Sequence, residues 1–247
     1  KDRGGPSKGL VEPFVGGGIV TLTAVMENLV RSATIVELDP DIASVWQAIV
    51  GGEAEELADA VVTFELTPEN IREVLSREPT SLRDKAFATL LRNRVNRGGI
   101  IAPGAGMLKH GENGKGIASR WYPQTLRRRI LAISQVRDRI RVVHGDGMAL
   151  MQQSAGREDV VFFLDPPYTK TGHRLYRYSE ISHEGLFSLA ASLAGDFLMT
   201  YDDATEIRTL AQKYGLQAKT VAMKSTHHTQ KKELLIGRDL SWLWAKG

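Results

Sequence analysis

Short apolar runs, each closed by glycine, proline or an acidic residue, alternate along this chain with stretches in which apolar positions return every three or four residues. The first pattern is that of buried strands, the second that of helices packed by one face. Strands are predicted from Leu10 towards the glycines at Gly16, at Thr34 to Glu37, at Ile140 to His144 and at Val160 to Leu164, with a helix from Ile19 to Val30. Three more follow at Asp196 to Tyr201, Gln217 to Met223 and Glu233 to Gly237, the last two an antiparallel pair across the polar loop Lys224 to Lys232. Between Thr34 and Ile140 the spacing is helical at Glu53 to Val62, Pro68 to Ser76 and Ser81 to Arg94. Thr67 before Pro68 supplies an N-cap with proline at the first helical position, while Val61-Val62-Thr63-Phe64 also fits a strand. The predicted organisation is an open α/β sheet domain from residues 1–50 and 132–247, interrupted by a mainly helical insertion at 51–131.

Composition narrows the class. With no cysteine among 247 residues, disulfides and thiolate zinc sites are excluded. The histidines are scattered, His227-His228 reads as an exposed loop pair, and no metal is assigned. No apolar run is long enough to span a membrane, so a cytoplasmic enzyme without a secretory leader is expected. Net charge is only +3, so what matters for nucleic acid is where the basic residues sit. They gather at Arg92, Arg94 and Arg97, then Lys109, Lys115 and Arg120, then Arg127-Arg128-Arg129, in a stretch rich in glycine. Long basic, glycine-rich loops are functional more often than packed, and this one is expected to touch nucleic acid. Arg127 to Arg129 read equally as a solvated helix face, because Leu126, Ile130 and Leu131 carry an apolar stripe through them.

Chemistry-bearing residues collect where the predicted strands end. Val160 to Leu164 runs into Asp165-Pro166-Pro167-Tyr168, and two prolines end ladder pairing, so the chain must leave the sheet there. Ligands of open α/β sheets bind at such carboxyl ends. Asp165 and the Pro166 carbonyl can accept hydrogen bonds from a planar amine, and Tyr168 offers a ring to stack on a base. At the first strand's end Gly16, Gly17 and Gly18 allow close backbone approach before a helix start, which suits a nucleotide-like ligand. Glu37, with Asp39 second, is placed to hold ribose hydroxyls, and Asp146 after Gly145 adds a carboxylate at the same edge.

With these residues in view the chain resembles the Dam-type class of DNA adenine-N6 methyltransferases. Glu12-Pro13-Phe14-Val15-Gly16-Gly17-Gly18 is similar to that family's cofactor loop and Asp165-Pro166-Pro167-Tyr168 to its catalytic tetrapeptide. Arg92 to Ile100 looks like the entry of its DNA-recognition region and Ser119-Arg120-Trp121-Tyr122 like the exit. The resemblance implies a Rossmann-like methyltransferase sheet, mostly parallel with an antiparallel last strand, and an inserted helical DNA-recognition domain. It implies S-adenosylmethionine on Glu12, Pro13, Phe14, Gly16, Gly17, Gly18, Glu37, Leu38, Asp146, Gly147 and Asp165. Double-stranded DNA is the implied partner, with Arg94, Asn96, Arg97, Lys109, Arg120, Trp121, Tyr122, Lys231 and Lys232 as its contacts and a monomer or dimer as the working form. The family's opening lysine-glycine motif is not found at its spacing in Lys1 to Lys8, which implies residues upstream of Lys1.

Asp165 and the Pro166 carbonyl are then expected to orient the amino nitrogen of a flipped-out adenine, a mechanism of positioning and local electrostatics. Three alternatives stand beside this reading. One is an RNA methyltransferase of the same fold, another is cytosine-N4 methylation, for which the family pattern favours serine at the Asp165 position, and the third is a DNA-binding module without catalysis. The recognition sequence is not legible in Gly98 to Ser119.

Overall fold

The computed structural model describes residues 8–101, 105–111, 114–167, 181–224 and 230–244. In chain order the elements are β1 (Gly9–Glu12), α1 (Ile19–Met26), β2 (Ala33–Glu37), α2 (Pro40–Val50), α3 (Ala54–Thr63), α4 (Pro68–Ser76), α5 (Leu82–Val95), α6 (Pro123–Ser134) and β3 (Ile140–His144). They continue with α7 (Gly147–Gln153), β4 (Val160–Leu164), α8 (His183–Ser192), β5 (Asp196–Asp202), α9 (Thr205–Lys213), β6 (Gln217–Lys224) and β7 (Gln230–Gly237). The strands form one sheet in the order β3-β2-β1-β4-β5-β7-β6. β1 pairs in parallel with β2 and β4, β4 in parallel with β5, and β7 antiparallel with β5 and β6. This is the expected Rossmann-like sheet, mostly parallel with its last strand reversed. No described helix is long and apolar enough to cross a membrane.

The strand order reverses between β1 and β4, since the chain steps outward one way through β2 and the other way through β5. Crevices beyond the carboxyl ends of strands at such a reversal are where open α/β sheets take ligands. The register Leu10↔Val161 and Val11↔Phe162 brings the exits of β1 and β4 side by side. Burial explains the apolar runs: all four residues of β1 are buried, as are Val160, Phe162 and Leu164 of β4, because a parallel sheet covered on both faces needs apolar side chains on both.

The chain divides into two compact units, whose described residues are 8–36, 145–167, 181–224 and 230–244 in the first and 37–101, 105–111 and 114–144 in the second. The first has a core of sheet residues such as Phe162, Met199, Tyr201 and Ile236 under Leu186 and Phe187 of α8. The core of the second joins Leu57, Val61, Ile71 and Leu91 to Ala48 and Ile49 of α2 and Ile130 of α6. The second unit is therefore wider than the 51–131 insertion expected, because α2, before those bounds, packs into the same core and α6 runs past them to Ser134.

Three local expectations change. α1 stops at Met26 rather than Val30, because Asn28 takes a left-handed φ of 56° and the amide of Leu29 bonds back to the Ala24 carbonyl at 2.8 Å, a common helix ending. Val61 to Thr63 are the last turn of α3, not a strand. The β6–β7 ladder runs to Lys224↔Gln230, so Lys231 and Lys232 are strand residues and not part of a loop. The cap at Thr67 is as expected, its hydroxyl accepting from the Asn70 amide at 3.1 Å.

Candidate active site

Helix α1 begins at Gly18, in the left-handed region at φ 61° and with no side chain to cap the helix. The cap comes instead from the end of β1. Buried Glu12 accepts from the Thr21 backbone amide at 3.1 Å and from the Thr21 hydroxyl. A negative charge is favoured at a helix start, but removal from water opposes it. The balance pushes the Glu12 carboxyl up to about 7: burial is the main cause, the two Thr21 bonds work against it, and the charge of Asp165 adds to the rise.

The loop between β1 and α1 is tied to β2 by the Val15 amide, which donates to the Val36 carbonyl at 3.1 Å. A Cβ built on Gly16 or Gly17 would meet nothing within 4 Å among the described residues, so no described side chain crowds this backbone. Gly147 is a glycine for the opposite reason, since a Cβ there would stand 2.1 Å from the Pro13 carbonyl oxygen. Phe14 packs on the core of the first unit. Exposed Asp146 caps α7 through the Met148 amide at 2.8 Å.

The structure separates the two candidates after β2. Glu37 ends the strand half-buried and accepts from the Asp39 amide at 2.9 Å, whereas Asp39 is buried and caps α2 through the Asp41 amide at 2.8 Å. Asp39 thus serves the helix. Leu38 between them is exposed.

At the end of β4 Asp165 is exposed, Pro166 buried and Pro167 half-buried. The neighbouring strand supplies what sequence reading missed: Thr200 donates its hydroxyl to Asp165 Oδ1 at 2.6 Å. Next to it Tyr201 is fully buried, its hydroxyl 2.8 Å from His183 Nδ1. Burial, then the charges of Asp165 and Glu206, raises the Tyr201 hydroxyl far above its usual range, so it stays protonated. Burial lowers the His183 imidazole, with Glu206 pulling the other way. Alternation along β5 marks Tyr201 as inward, but only the pairing of β5 beside β4 brings Thr200 to Asp165. Tyr168 and the side chain of Lys231 lie outside the described residues.

Among the expected nucleic-acid contacts, Arg97, Lys109 and Tyr122 are exposed in the second unit and Lys232 is exposed on β7 in the first. Arg120 is half-buried and donates to the Asn96 carbonyl at 3.3 Å. Arg94, at the end of α5, is partly buried with its Nε lacking a hydrogen-bond partner among the described residues; burial, then Arg120 and Arg129, lowers its guanidinium below the usual range. Two residues instead serve packing. Asn96 is buried and donates to the Ile100 carbonyl at 2.8 Å. Trp121 is buried with its ring edge-on to Phe64 at 6.0 Å between centroids, because an indole beside an apolar helix core gains more from burial than from water.

The first unit therefore brings together Glu12, the glycine loop, Gly147 and Asp146 beside Pro13, and Asp165 held by Thr200. No protein-family model matches the chain, and no curated protein matches it. Solved structures similar to it include an rRNA methyltransferase from Streptomyces viridochromogenes, 16% identical over 96% of this chain and 78% of that one with a TM-score of 0.41. Others are a precorrin-6y C5,15-methyltransferase from Geobacter metallireducens, 8% identical over 95% and 81% with a TM-score of 0.41, and a predicted O-methyltransferase from Agrobacterium tumefaciens, 10% identical over 96% and 76% with a TM-score of 0.42. The fold assignment rests on the strand order described above.

Proposed function

We propose that this chain is an S-adenosylmethionine-dependent methyltransferase acting on the exocyclic amino group of a nucleobase, with N6 of adenine in double-stranded DNA as the first reading. The observation that carries it is the exposed Asp165 carboxylate, oriented by Thr200 at the end of β4, beside the β1 exit and its glycine loop. The DNA-adenine reading draws on the two motifs around Gly16 and Asp165, and the same geometry serves an amine on an RNA base.

The Gly16–Gly17 backbone, uncrowded among the described residues, with Glu12 and Asp146 at strand ends of the same unit, fits the cofactor's polar groups. S-adenosylmethionine, when bound, supplies a methyl carbon made electrophilic by its sulfonium. The remaining work belongs to the protein. An aromatic amine is a poor nucleophile because its lone pair is delocalised into the ring. Asp165 accepts one amino hydrogen and the Pro166 carbonyl the other, which favours a more tetrahedral nitrogen with a localised lone pair. The rate gain then comes from orientation and local electrostatics. The base leaves its stack at a cost of a few kcal/mol, and Tyr168 is the residue the motif assigns to stacking on it, for a return of about 1–3 kcal/mol.

The test is methyl transfer assayed on duplex DNA, on RNA and without nucleic acid. Transfer to DNA alone is expected, and transfer to RNA alone would move the reading to an RNA methyltransferase. Cofactor and DNA binding without transfer to either would leave a binding module. In the productive arm Asp165→Ala is expected to lower turnover at least about 100-fold while DNA affinity stays within a few-fold. Near wild-type turnover would remove Asp165 from the reaction.

A further inference from the structure

The second unit holds a cavity of about 760 Å³ that the proposed methyl transfer does not use. Its wall is built by the segment 106–108 lying against the end of α5. The Arg97 amide donates to the Gly106 carbonyl at 3.1 Å, the Leu108 amide to the Val95 carbonyl at 2.8 Å, and Asn96 and Met107 form an antiparallel bridge. Pro68, Met107, Leu108 and Ile117 give the cavity apolar surface, with Met107, Leu108 and Ile117 half-buried. Arg97, Lys109 and Lys115 line it too, and none of the described lining residues is acidic. Among the described residues none of these three cations forms an ion pair. Gly106 and Gly114 also line it, and a Cβ on either would meet nothing within 4 Å.

An apolar wall with three cations that form no ion pair among the described residues matches a ligand that joins a flat apolar body to an anion, and the volume lies within the range of roughly 300–1,000 Å³ typical of small-ligand sites. A nucleotide has that composition. We propose that this cavity receives one nucleotide of a nucleic-acid strand, its phosphate on Arg97, Lys109 and Lys115 and its base against Met107, Leu108 and Ile117. The inference rests on the reading of the chain as a nucleic-acid enzyme and names a second place where that strand is held. Exposed cations supply sequence-independent affinity, while the apolar wall supplies the contact a base needs.

Two variants of the full chain test it by titrating a fluorescently labelled oligonucleotide without cofactor. Gly106→Phe fills the cavity from a position whose backbone is not left-handed and whose Cβ meets no neighbour, leaving all three cations in place. Lys109→Ala with Lys115→Ala removes charge and leaves the space. Gly106→Phe is expected to weaken strand binding at least tenfold, and the double variant is expected to weaken it and flatten the slope of log affinity against log salt by about 0.7–0.9 per lost contact. Both should bind S-adenosylmethionine as the wild type does, which shows that they fold. If Gly106→Phe binds the strand as tightly as wild type while the lysine variant weakens, the cations are a surface patch and the nucleotide cavity is wrong. Displacement of the strand by micromolar 5′-AMP would assign the cavity to a free nucleotide and overturn the proposal as stated. A wild-type chain that binds the strand through this cavity but transfers no methyl group would uphold this inference and defeat the methyltransferase reading. Full methyl transfer and unchanged binding in both variants would do the reverse.

Discussion

Asp165 is exposed, and an exposed carboxylate on a chain leaving its sheet has several rotamers open to it. The hydroxyl of Thr200 narrows them, donating at 2.6 Å from the neighbouring strand. Thr200 is a positioning residue under the proposed reaction, and small misplacements of a reacting group can cost as much as about 100-fold in rate. Thr200→Val should therefore lower kcat about tenfold with little change in KM for the nucleic acid, and Thr200→Ser should recover most of it. Equal losses in Thr200→Val and Thr200→Ser would make the contact incidental. Asp165 and Gly16 to Gly18 were legible because each is marked by its immediate neighbours, prolines in one case and a strand-to-helix turn in the other. Thr200 lies 35 residues from Asp165 and meets it only through the register Leu164↔Met199. Asn96 and Trp121 failed in the other direction, since polarity and an aromatic ring next to arginines say nothing about which side faces the core.

Between β1 and α1 a strand-end carboxyl caps a helix that lacks its own capping side chain. Glu12 has a folded-state pKa of about 7 against an ordinary 4.5, so the folded chain holds this proton more tightly than the unfolded chain does. The stabilisation is fully present below about pH 4.5 and is lost as pH rises to about 7, by roughly 3 kcal/mol at about 1.4 kcal/mol per pKa unit. Urea midpoints measured from pH 4.5 to 8 should fall for wild type over that window. Glu12→Gln, whose carbonyl can still accept from Thr21, should show that much less pH dependence; parallel curves would mean that Glu12 titrates normally. A second element-scale prediction concerns Gly147. Gly147→Ala places a methyl 2.1 Å from the Pro13 carbonyl oxygen, an overpacking worth about 1–3 kcal/mol. Thermal unfolding should show a lower Tm and calorimetry a weaker cofactor affinity, because the loop carrying Gly16 must move; unchanged values of both would show that Pro13 yields freely. The bounds of most strands and of α3, α4 and α5 were readable from periodicity, which is local, whereas those of α2, α7, α8 and α9 were not. The end of α1 was not, because the left-handed turn at Asn28 interrupts a still-apolar run, Leu29-Val30. Nor was the length of β7, because pairing with β6 carries polar Lys231 and Lys232 into the ladder.

At the scale of the molecule, a net charge of +3 over 247 residues leaves affinity for a polyanion to local groupings of cations. The two groupings belong to different units: Lys232 on β7 in the first, and Arg97 and Lys109 in the second. Under the proposed DNA methylation, Lys232→Ala should reduce the salt slope of duplex binding by about 0.9 and leave the methylated motif unchanged, as loss of a phosphate contact does. Arg97→Ala should likewise flatten the slope and leave the motif unchanged, as a phosphate contact does, and methylated-site sequencing of both variants checks it. A motif relaxed in Arg97→Ala, by about 1–3 kcal/mol of discrimination, would make its guanidinium a base reader instead. The division into units was only partly visible in sequence, because α2 precedes the expected insertion while its Ala48 and Ile49 belong to the insertion's core.

If Asp165 and the glycine loop after β1 together direct methylation of an exocyclic amine, duplex DNA incubated with S-adenosylmethionine and the wild-type chain, then digested to nucleosides and analysed by mass spectrometry, should contain N6-methyldeoxyadenosine. DNA incubated with Asp165→Ala should contain about 100-fold less or none. A methyl group found on a ring carbon or ring nitrogen, or equal yields from the two proteins, would contradict that reading.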